Sequence, residues 1–281
     1  MMKLDEIIRF KGSVIQHGKY NDRVYIMKIL DENFKEVIKK AEDLAKENKY
    51  GKIFAKVPFS MGEEFEKRDF ILEGTIPEFF ASNQECLFYS KYFSNERYED
   101  NFEDEHEECL RKAFNSTAKL NEERTFEENE IEVVVAEKEN AKDIASLLEN
   151  VFPTYPFPVF DKDYILKTMD DNVKYYCYYD GNILAGVSSS EKDSYNKNAE
   201  MTDFAVREEY RGKGIPKALL RAMEKDLKEE EYRILYTIAR AGNPGINILF
   251  ARESYIFSGK VVNNTNISGN IESMNLWYKK I

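Results

Sequence analysis

Residues 203–227, DFAVREEYRGKGIPKALLRAMEKDL, constrain this chain more than any other stretch. A strand-like run feeds a short turn holding Arg211, Gly212, Lys213 and Gly214, and the turn opens a helix with Pro216 at its start. Glycine has no Cβ, so the backbone there can approach a bulky group closely. The first N–H groups of a helix have no partner inside it, and the helix dipole favours negative charge at that end. A strand–glycine turn–helix of this kind therefore suits a phosphate group. Pro216 has its φ preset for the first helical position. The glycine spacing fits neither the P-loop nor the dinucleotide fingerprint. Glycines that only tighten a turn are the plainer alternative.

Around this stretch the periodicity predicts a complete α/β unit. Residues 131–136 read as a strand, 141–150 as a helix capped by Asn140, and 161–169 as a second helix. Residues 173–179 and 183–189 read as strands joined by Asp-Gly-Asn, a hairpin signal. Residues 199–206 form another strand before the turn. After the helix at 216–228 come a strand at 233–239, a helix at 245–253 and strands at 255–262 and 271–279. The N-terminal part mixes the same element types: extended runs within 11–29, a helix over 30–48, a strand at 52–57, a helical stretch at 62–67, and strands at 70–74 and 86–92. Residues 94–132 turn acidic, read as a solvated helix and then a linker. This gives an N-terminal α/β domain over 1–115, an acidic linker over 116–130 and a second domain over 131–281. No repeat of short period is visible.

The chain has 281 residues, room for two compact domains at about 100–200 residues each. Its formal net charge of −11 repels a nucleic-acid backbone and draws in small cations. Cys86, Cys109 and Cys177 show no CxxC spacing and read as reduced thiols. The charged start, MMKLDEIIRFKG, does not resemble a signal peptide, and no run is apolar for the roughly 18 residues a membrane span needs. These features point to a cytoplasmic protein without nucleic-acid or membrane partners. They do not choose between a monomer and a homodimer. The sequons at Asn115, Asn263 and Asn266 read as chance matches. His17 and His106 lack ligand-spaced neighbours, so no metal site is expected.

The turn resembles the acetyl-CoA pyrophosphate motif of the GNAT superfamily, Arg-x-x-Gly-x-(Gly/Ala), with Pro216 departing at the sixth place. Pro lacks an N–H, which shifts the phosphate contacts onto the amides of Gly212 to Ile215. Asn243-x-x-Ile-x-x-Leu-Phe250 resembles the superfamily's Asn-x-x-Ala-x-x-Leu-Tyr helix. TYPFP at 154–158, MTDFAV at 201–206, YTIARAGNPGIN at 236–247 and NNTNISGNIESMNLWY at 263–278 are similar to the beta-lysine N6-acetyltransferase family. The resemblance implies a C-terminal GNAT fold with a mixed, mostly antiparallel sheet flanked by helices. It implies acetyl transfer from acetyl-CoA to the side-chain amine of beta-lysine, giving a compatible solute. Residues 63–93 resemble the closing strands of a GNAT unit without a phosphate turn, so the N-terminal domain reads as a degenerate half-copy or an unrelated small α/β domain.

The chemistry assigns roles. An amine with a pKa near 10.4 must lose a proton before it attacks a thioester. Glu200 is the first candidate base and Asp203 the second, with strand alternation placing the two on opposite faces. Phe250 replaces the tyrosine that protonates the leaving thiolate in many relatives. Tyr255, Tyr236 and Tyr278 are the alternatives, or no acid is needed. Backbone N–H groups of Phe204, Ala205 and Val206 on a bulged strand would hold the thioester oxygen. Asn243 is read as a pantetheine contact, a helix cap, or both. Arg240 is read as a fork for the acceptor carboxylate, with an exposed ion pair as the alternative. Tyr155 and Phe157 would wall the acceptor site on a loop stiffened by three prolines. Asn264 and Glu272 would line its polar end, along with Asn263, Asn266 and Asn275, unless these are hairpin residues. The rivals are a GNAT enzyme for a polyamine, lysine or a protein lysine, and a noncatalytic acyl-CoA sensor.

Overall fold

A computed structural model of the chain describes residues 3–118 and 131–281, so most of the expected linker lies outside the described residues. The N-terminal half runs β1 (Glu6–Phe10), β2 (Ser13–Gly18), β3 (Arg23–Lys28), α1 (Phe34–Asn48), β4 (Lys52–Pro58), α2 (Gly62–Glu66), β5 (Ile71–Ile76), β6 (Cys86–Tyr92), α3 (Asn95–Tyr98) and α4 (Glu103–Ala118). The C-terminal half runs β7 (Val134–Val135), α5 (Ala141–Val151), α6 (Lys162–Asp171), β8 (Val173–Asp180), β9 (Ile183–Asp193), β10 (Asn198–Val206), α7 (Ile215–Glu229), β11 (Ile234–Arg240), α8 (Pro244–Arg252), β12 (Ile256–Ile267) and β13 (Asn270–Lys280). The expected elements are present with small shifts. β7 is shorter than 131–136, and β1 was not expected. Asn140 does not cap α5; its side chain accepts from the Glu137 amide one turn earlier. Pro216 sits at the second position of α7, since Ile215 already has helical geometry.

All described strands join one sheet in the order β1-β2-β3-β4-β6-β5-β12-β13-β11-β10-β9-β8-β7. Within it, one topology occurs twice. β1-β2-β3 form an antiparallel meander, α1 crosses to a parallel β4, and β6 and β5 return antiparallel. β8-β9-β10, α7, β11, β13 and β12 repeat every one of these relations. The bulges repeat too. β3 gains a residue at Met27 just past its parallel pairing with β4, and β10 gains one between Thr202 and Ala205 past its pairing with β11. β5 and β12 each bulge two residues in, at Glu73 and Ser258, immediately before Gly74 and Gly259.

Those two glycines meet at the seam between halves, where β5 pairs with β12 at Gly74↔Gly259. A Cβ on Gly259 would lie 2.0 Å from the Glu73 carbonyl, and one on Gly74 would lie 2.5 Å from Leu276 Cδ1. Only glycine allows so close a backbone approach. The bulged residues then tie the seam. The Thr75 amide donates to Ser258 Oγ at 3.2 Å, and the Val262 amide to Glu73 Oε1 at 3.0 Å. Lys52, buried beneath it, pairs with Glu73 and donates to the Val262 carbonyl.

Each half covers one face of its sheet with its own crossover helix. Val37, Ile38 and Ala41 of α1 pack on Ile15, Val24 and Ile53. Leu219, Leu220 and Met223 of α7 pack with Phe250 of α8 on Leu235 and Trp277. The opposite faces of both halves share one apolar cluster with α5, α6 and the loop at 152–160. Tyr25, Phe54 and Phe88 enter it from one side, and Tyr155, Tyr236 and Leu276 from the other. At about 1.5–3 kcal/mol per large apolar side chain, this shared burial locks the halves together. Helix α4, expected in the N-terminal unit as a solvated helix, buries Cys109 and Ala113 instead. It sets Phe114 against Phe257 and Trp277 of the C-terminal half.

Candidate active site

The phosphate turn has the geometry its glycines require. Gly212 and Gly214 have φ of +76° and +82°, a region that L side chains rarely adopt. A Cβ at Gly212 would meet nothing within 4 Å, so that backbone faces open space. Among the described residues, the amides of Gly212, Lys213, Gly214 and Ile215 donate to no other group. They lie at the start of the fifteen-residue helix α7, with Arg211 and Lys213 exposed alongside. Asp180 and Lys213 both hold Tyr210 beneath the turn, the latter with its ammonium 4.5 Å from the ring centroid.

Upstream of the turn, the sheet splits. β10 and β11 pair in parallel only at Asn198↔Ile234, Ala199↔Leu235 and Glu200↔Tyr236. From Met201 to Val206 the edge of β10 toward β11 is unpaired and borders a gap. The Arg207 amide donates to the Ala185 carbonyl of β9, so alternation turns the Ala205 amide toward β9 as well and leaves the Val206 amide toward the gap. Phe204 packs edge-on against Phe250 with ring centroids 5.7 Å apart, so position 250 offers a ring without a hydroxyl. Asn243 caps α8, its Oδ1 accepting from the Ile246 amide at 3.3 Å.

The bulge corrects one expectation. Asp203 does not point away from Glu200. Its φ of +56° breaks the two-residue alternation and turns its carboxylate to the same side. There it accepts from Ser189 Oγ at 2.5 Å and from the Tyr155 hydroxyl. Glu191 lies opposite Glu200 across β9 and β10. Three carboxylates thus crowd one place. Glu200 and Asp203 are half-buried there, and Glu191 is exposed at its edge.

Desolvation raises all three. For Glu200, burial and the neighbouring Glu191 charge outweigh the opposing pull of Lys56 and Tyr236, and its carboxyl is pushed up to about 7. Lys56 comes from β4 of the N-terminal half, and its ammonium donates to the Tyr236 hydroxyl at 3.1 Å. Burial lowers its pKa, but Tyr236, Tyr25, Glu200 and Glu191 more than reverse this and hold it well above the ordinary value. Lys56, Glu191, Ser189 and Tyr25 are site residues that sequence reasoning missed. Glu191 and Ser189 follow from hairpin register, but Lys56 and Tyr25 arrive only through the sheet order.

The proline-bearing loop at 152–160 is fixed from both halves. Gln16 of β2 donates to the Pro156 carbonyl at 3.2 Å, and Thr154 bonds Asn266 and the Gly269 amide of the β12–β13 turn. Phe157 packs on the shared cluster beside Tyr155. Arg240 and Glu272, read separately as acceptor contacts, hold each other in a bidentate pair with both bonds at 2.7 Å, so the expected carboxylate fork is already engaged. The Asn264 carbonyl and Thr265 Oγ1 accept from Arg23 of β3, and the Asn264 side chain is buried. Tyr255 is not brought to the carboxylates. It packs edge-to-face against Phe250 in the helix-covered core, beside Glu224.

A split between two parallel strands, a bulge at the split and a glycine turn opening a helix together define a GNAT N-acetyltransferase, and the acetyltransferase (GNAT) family model matches residues 141–252. The chain is 42% identical over 276 residues to the beta-lysine N(6)-acetyltransferase of Methanococcus maripaludis, covering 98% of this chain and 99% of that protein. It is 34% identical to the protein of the same name from Methanosarcina mazei, covering 88% of this chain and 98% of that one. The chain belongs to the beta-lysine N6-acetyltransferase family. It is an enzyme that uses acetyl-CoA. Among solved structures, the ribosomal-protein-S18-alanine N-acetyltransferase of Escherichia coli aligns with 53% of this chain and 93% of its own, at 14% identity and a TM-score of 0.47. The free amides at residues 212–215 and the open backbone at Gly212 fit the pyrophosphate of acetyl-CoA, and the β10–β11 gap fits its extended arm.

Proposed function

We propose that this enzyme acetylates the side-chain amine of beta-lysine to give N6-acetyl-beta-lysine. The observation that carries the reading is the carboxylate cluster at the bulge, with Glu200 raised to about 7 at the mouth of the split. Two relatives spanning nearly the whole chain carry that activity in their names. Acetyl-CoA, when bound, supplies the acetyl group as a thioester. Glu191, Glu200 and Asp203 attract the acceptor's ammonium into the cleft. Glu200 takes its proton, since a base of pKa near the working pH combines availability with strength. The freed nitrogen forms the C–N bond as the C–S bond breaks. The unpaired Val206 amide of β10 donates to the oxygen that gains charge. A thiol pKa near 8.5 makes the thiolate a tolerable leaving group, so no residue need protonate it. Tyr155 and Ser189 hold Asp203 in place rather than react.

The twice-used topology supports reading the N-terminal half as a degenerate GNAT-like unit that lost its phosphate turn, with residues 119–130 within the linker between the two domains. We read the enzyme as cytoplasmic, a monomer or homodimer, and its neutral-headed product as a compatible solute. No described helix is long and apolar enough to cross a membrane. The test is CoA release from acetyl-CoA with beta-lysine, lysine, polyamines and a lysine peptide. Preference for beta-lysine supports the proposal. Preference for another amine sinks the acceptor. Binding of acetyl-CoA without turnover favours a sensor.

A further inference from the structure

The N-terminal half does more than brace the catalytic half, because its open sheet face carries cations into the same cleft. On β3 and β4, alternation places Arg23, Tyr25, Phe54 and Lys56 on that face, while Val24 and Ile53 lie under α1. Four cations from the two halves gather around the shared cluster, and three are matched. Arg240 is held by Glu272, Lys52 by Glu73, and Lys56 by its acidic and phenolic neighbours. Arg23 is different.

Arg23 is 3% exposed, yet among the described residues no carboxylate comes within 4.0 Å of it. Asp5 acts on it only from a distance, its oxygens taken by the amides of Tyr20 and Asn21 and the Asn21 side chain. One arm of the guanidinium is satisfied: Nη1 donates to the Asn264 carbonyl at 2.7 Å and to Thr265 Oγ1 at 3.1 Å. The other edge is not. Nε is buried without a partner, and Nη2 has only Gln16 Oε1 at 3.5 Å. An uncompensated buried guanidinium is costly. Nε and Nη2 form one side of the fork that binds a carboxylate in two parallel bonds.

The place suits the acceptor. The guanidinium carbon lies 5.0 Å from the Tyr25 ring centroid and the Lys56 ammonium 5.9 Å from the same centroid, so the two are at most about 11 Å apart. Glu200 acts on the same Tyr25 hydroxyl. A six-carbon diamino acid spans roughly 7–8 Å from carboxyl carbon to terminal nitrogen, given C–C bonds near 1.5 Å. Gln16 ties the acceptor loop to this point through Pro156.

We propose that Arg23 is the receptor for the acceptor's carboxylate, so that the N-terminal half selects an amino acid while the C-terminal half acetylates its far amine. This rests on the amino-acid acceptor reading above.

The test compares beta-lysine with its neutral carboxamide in wild type, Arg23→Gln and Arg23→Lys, with acetyl-CoA affinity measured in each. Wild type should favour the acid by on the order of 100-fold in kcat/KM, as a bidentate charged pair allows. Arg23→Gln should raise KM for the acid by a similar factor, leave the amide within about threefold and leave acetyl-CoA binding unchanged. Arg23→Lys should recover part of the preference for the acid. Equal use of acid and amide by wild type overturns the subsite while leaving the acetyltransferase reading intact. Equal losses on acid and amide in Arg23→Gln, with weakened acetyl-CoA binding, make Arg23 a structural residue. A wild type that ignores both and takes only a polyamine removes the acceptor reading, and this inference with it.

Discussion

The two halves share a strand order, a crossover helix and matching bulges, but only one carries a phosphate turn. Past β10 the chain makes Arg211-Gly212-Lys213-Gly214 with positive φ at both glycines. Past β3 it runs through Ile29, Leu30 and a short 3-10 turn at Asp31–Asn33 into α1, with no glycine. Register places Tyr25 of β3, opposite Phe54, where β10 has Glu200 opposite Tyr236. The fold alone therefore does not make a transferase. On the proposed reading, chemistry follows from two glycines and one carboxylate, and the unit lacking them shapes the acceptor side of a shared cleft.

Exchanging the base for its neutral isostere breaks this contrast most strongly. Glu200→Gln should lower kcat by about 10²–10⁴, the usual worth of a general base, while acetyl-CoA affinity stays put. Its stability should move the other way. Glu200 has a folded pKa raised to about 7, so its favourable share is present at acid pH and is lost as pH rises toward 7. The variant's melting temperature should exceed that of wild type near pH 8, with the gap closing toward pH 4. Next comes the turn. Gly214→Val, forced to a φ that costs β-branched residues about 1–2 kcal/mol, should weaken acetyl-CoA binding on the order of 100-fold by calorimetry. Leu30→Val in the counterpart connection should leave that binding unchanged.

The seam gives a smaller effect. Gly259→Ala places a methyl against the Glu73 carbonyl and should cost about 2–3 kcal/mol in denaturant unfolding. Two separate transitions in wild type would contradict the shared core. Smallest of all, Lys56→Met removes a charge that pulls the Glu200 pKa down. The pH limb of activity should move to higher pH, with a loss below about tenfold at pH 7.

Much of the C-terminal half was legible because its elements are punctuated locally. Asp-Gly-Asn, the glycine turn and Asn243-Pro244 each mark a boundary within a few residues. The repeat was legible only in part, through the resemblance of residues 63–93 to the closing strands of a GNAT unit, because its period is long and its trace is short. Ile71-Leu72-Glu73-Gly74-Thr75-Ile76 and Ile256-Phe257-Ser258-Gly259-Lys260-Val261 share only their spacing of Ile, Gly and a branched residue. Alternation misplaced Asp203, since a bulge is invisible to a two-residue period. Arg240 and Glu272 were each read alone, though register on β11 and β13 makes them neighbours. Arg23 and Lys56 carried no local signal, because what matters about them is a sheet order that brings them beside residues far along the chain.

The central claim is that the C-terminal carboxylate cluster, led by Glu200, takes the proton from the acceptor amine. The pH dependence of kcat/KM for beta-lysine, measured on wild type, Glu200→Gln and its topological counterpart Tyr25→Phe, tests it most directly. The account predicts a limb rising through about pH 7 in wild type and in Tyr25→Phe, absent from a much slower Glu200→Gln. The same limb surviving in Glu200→Gln at near-normal rate would contradict it.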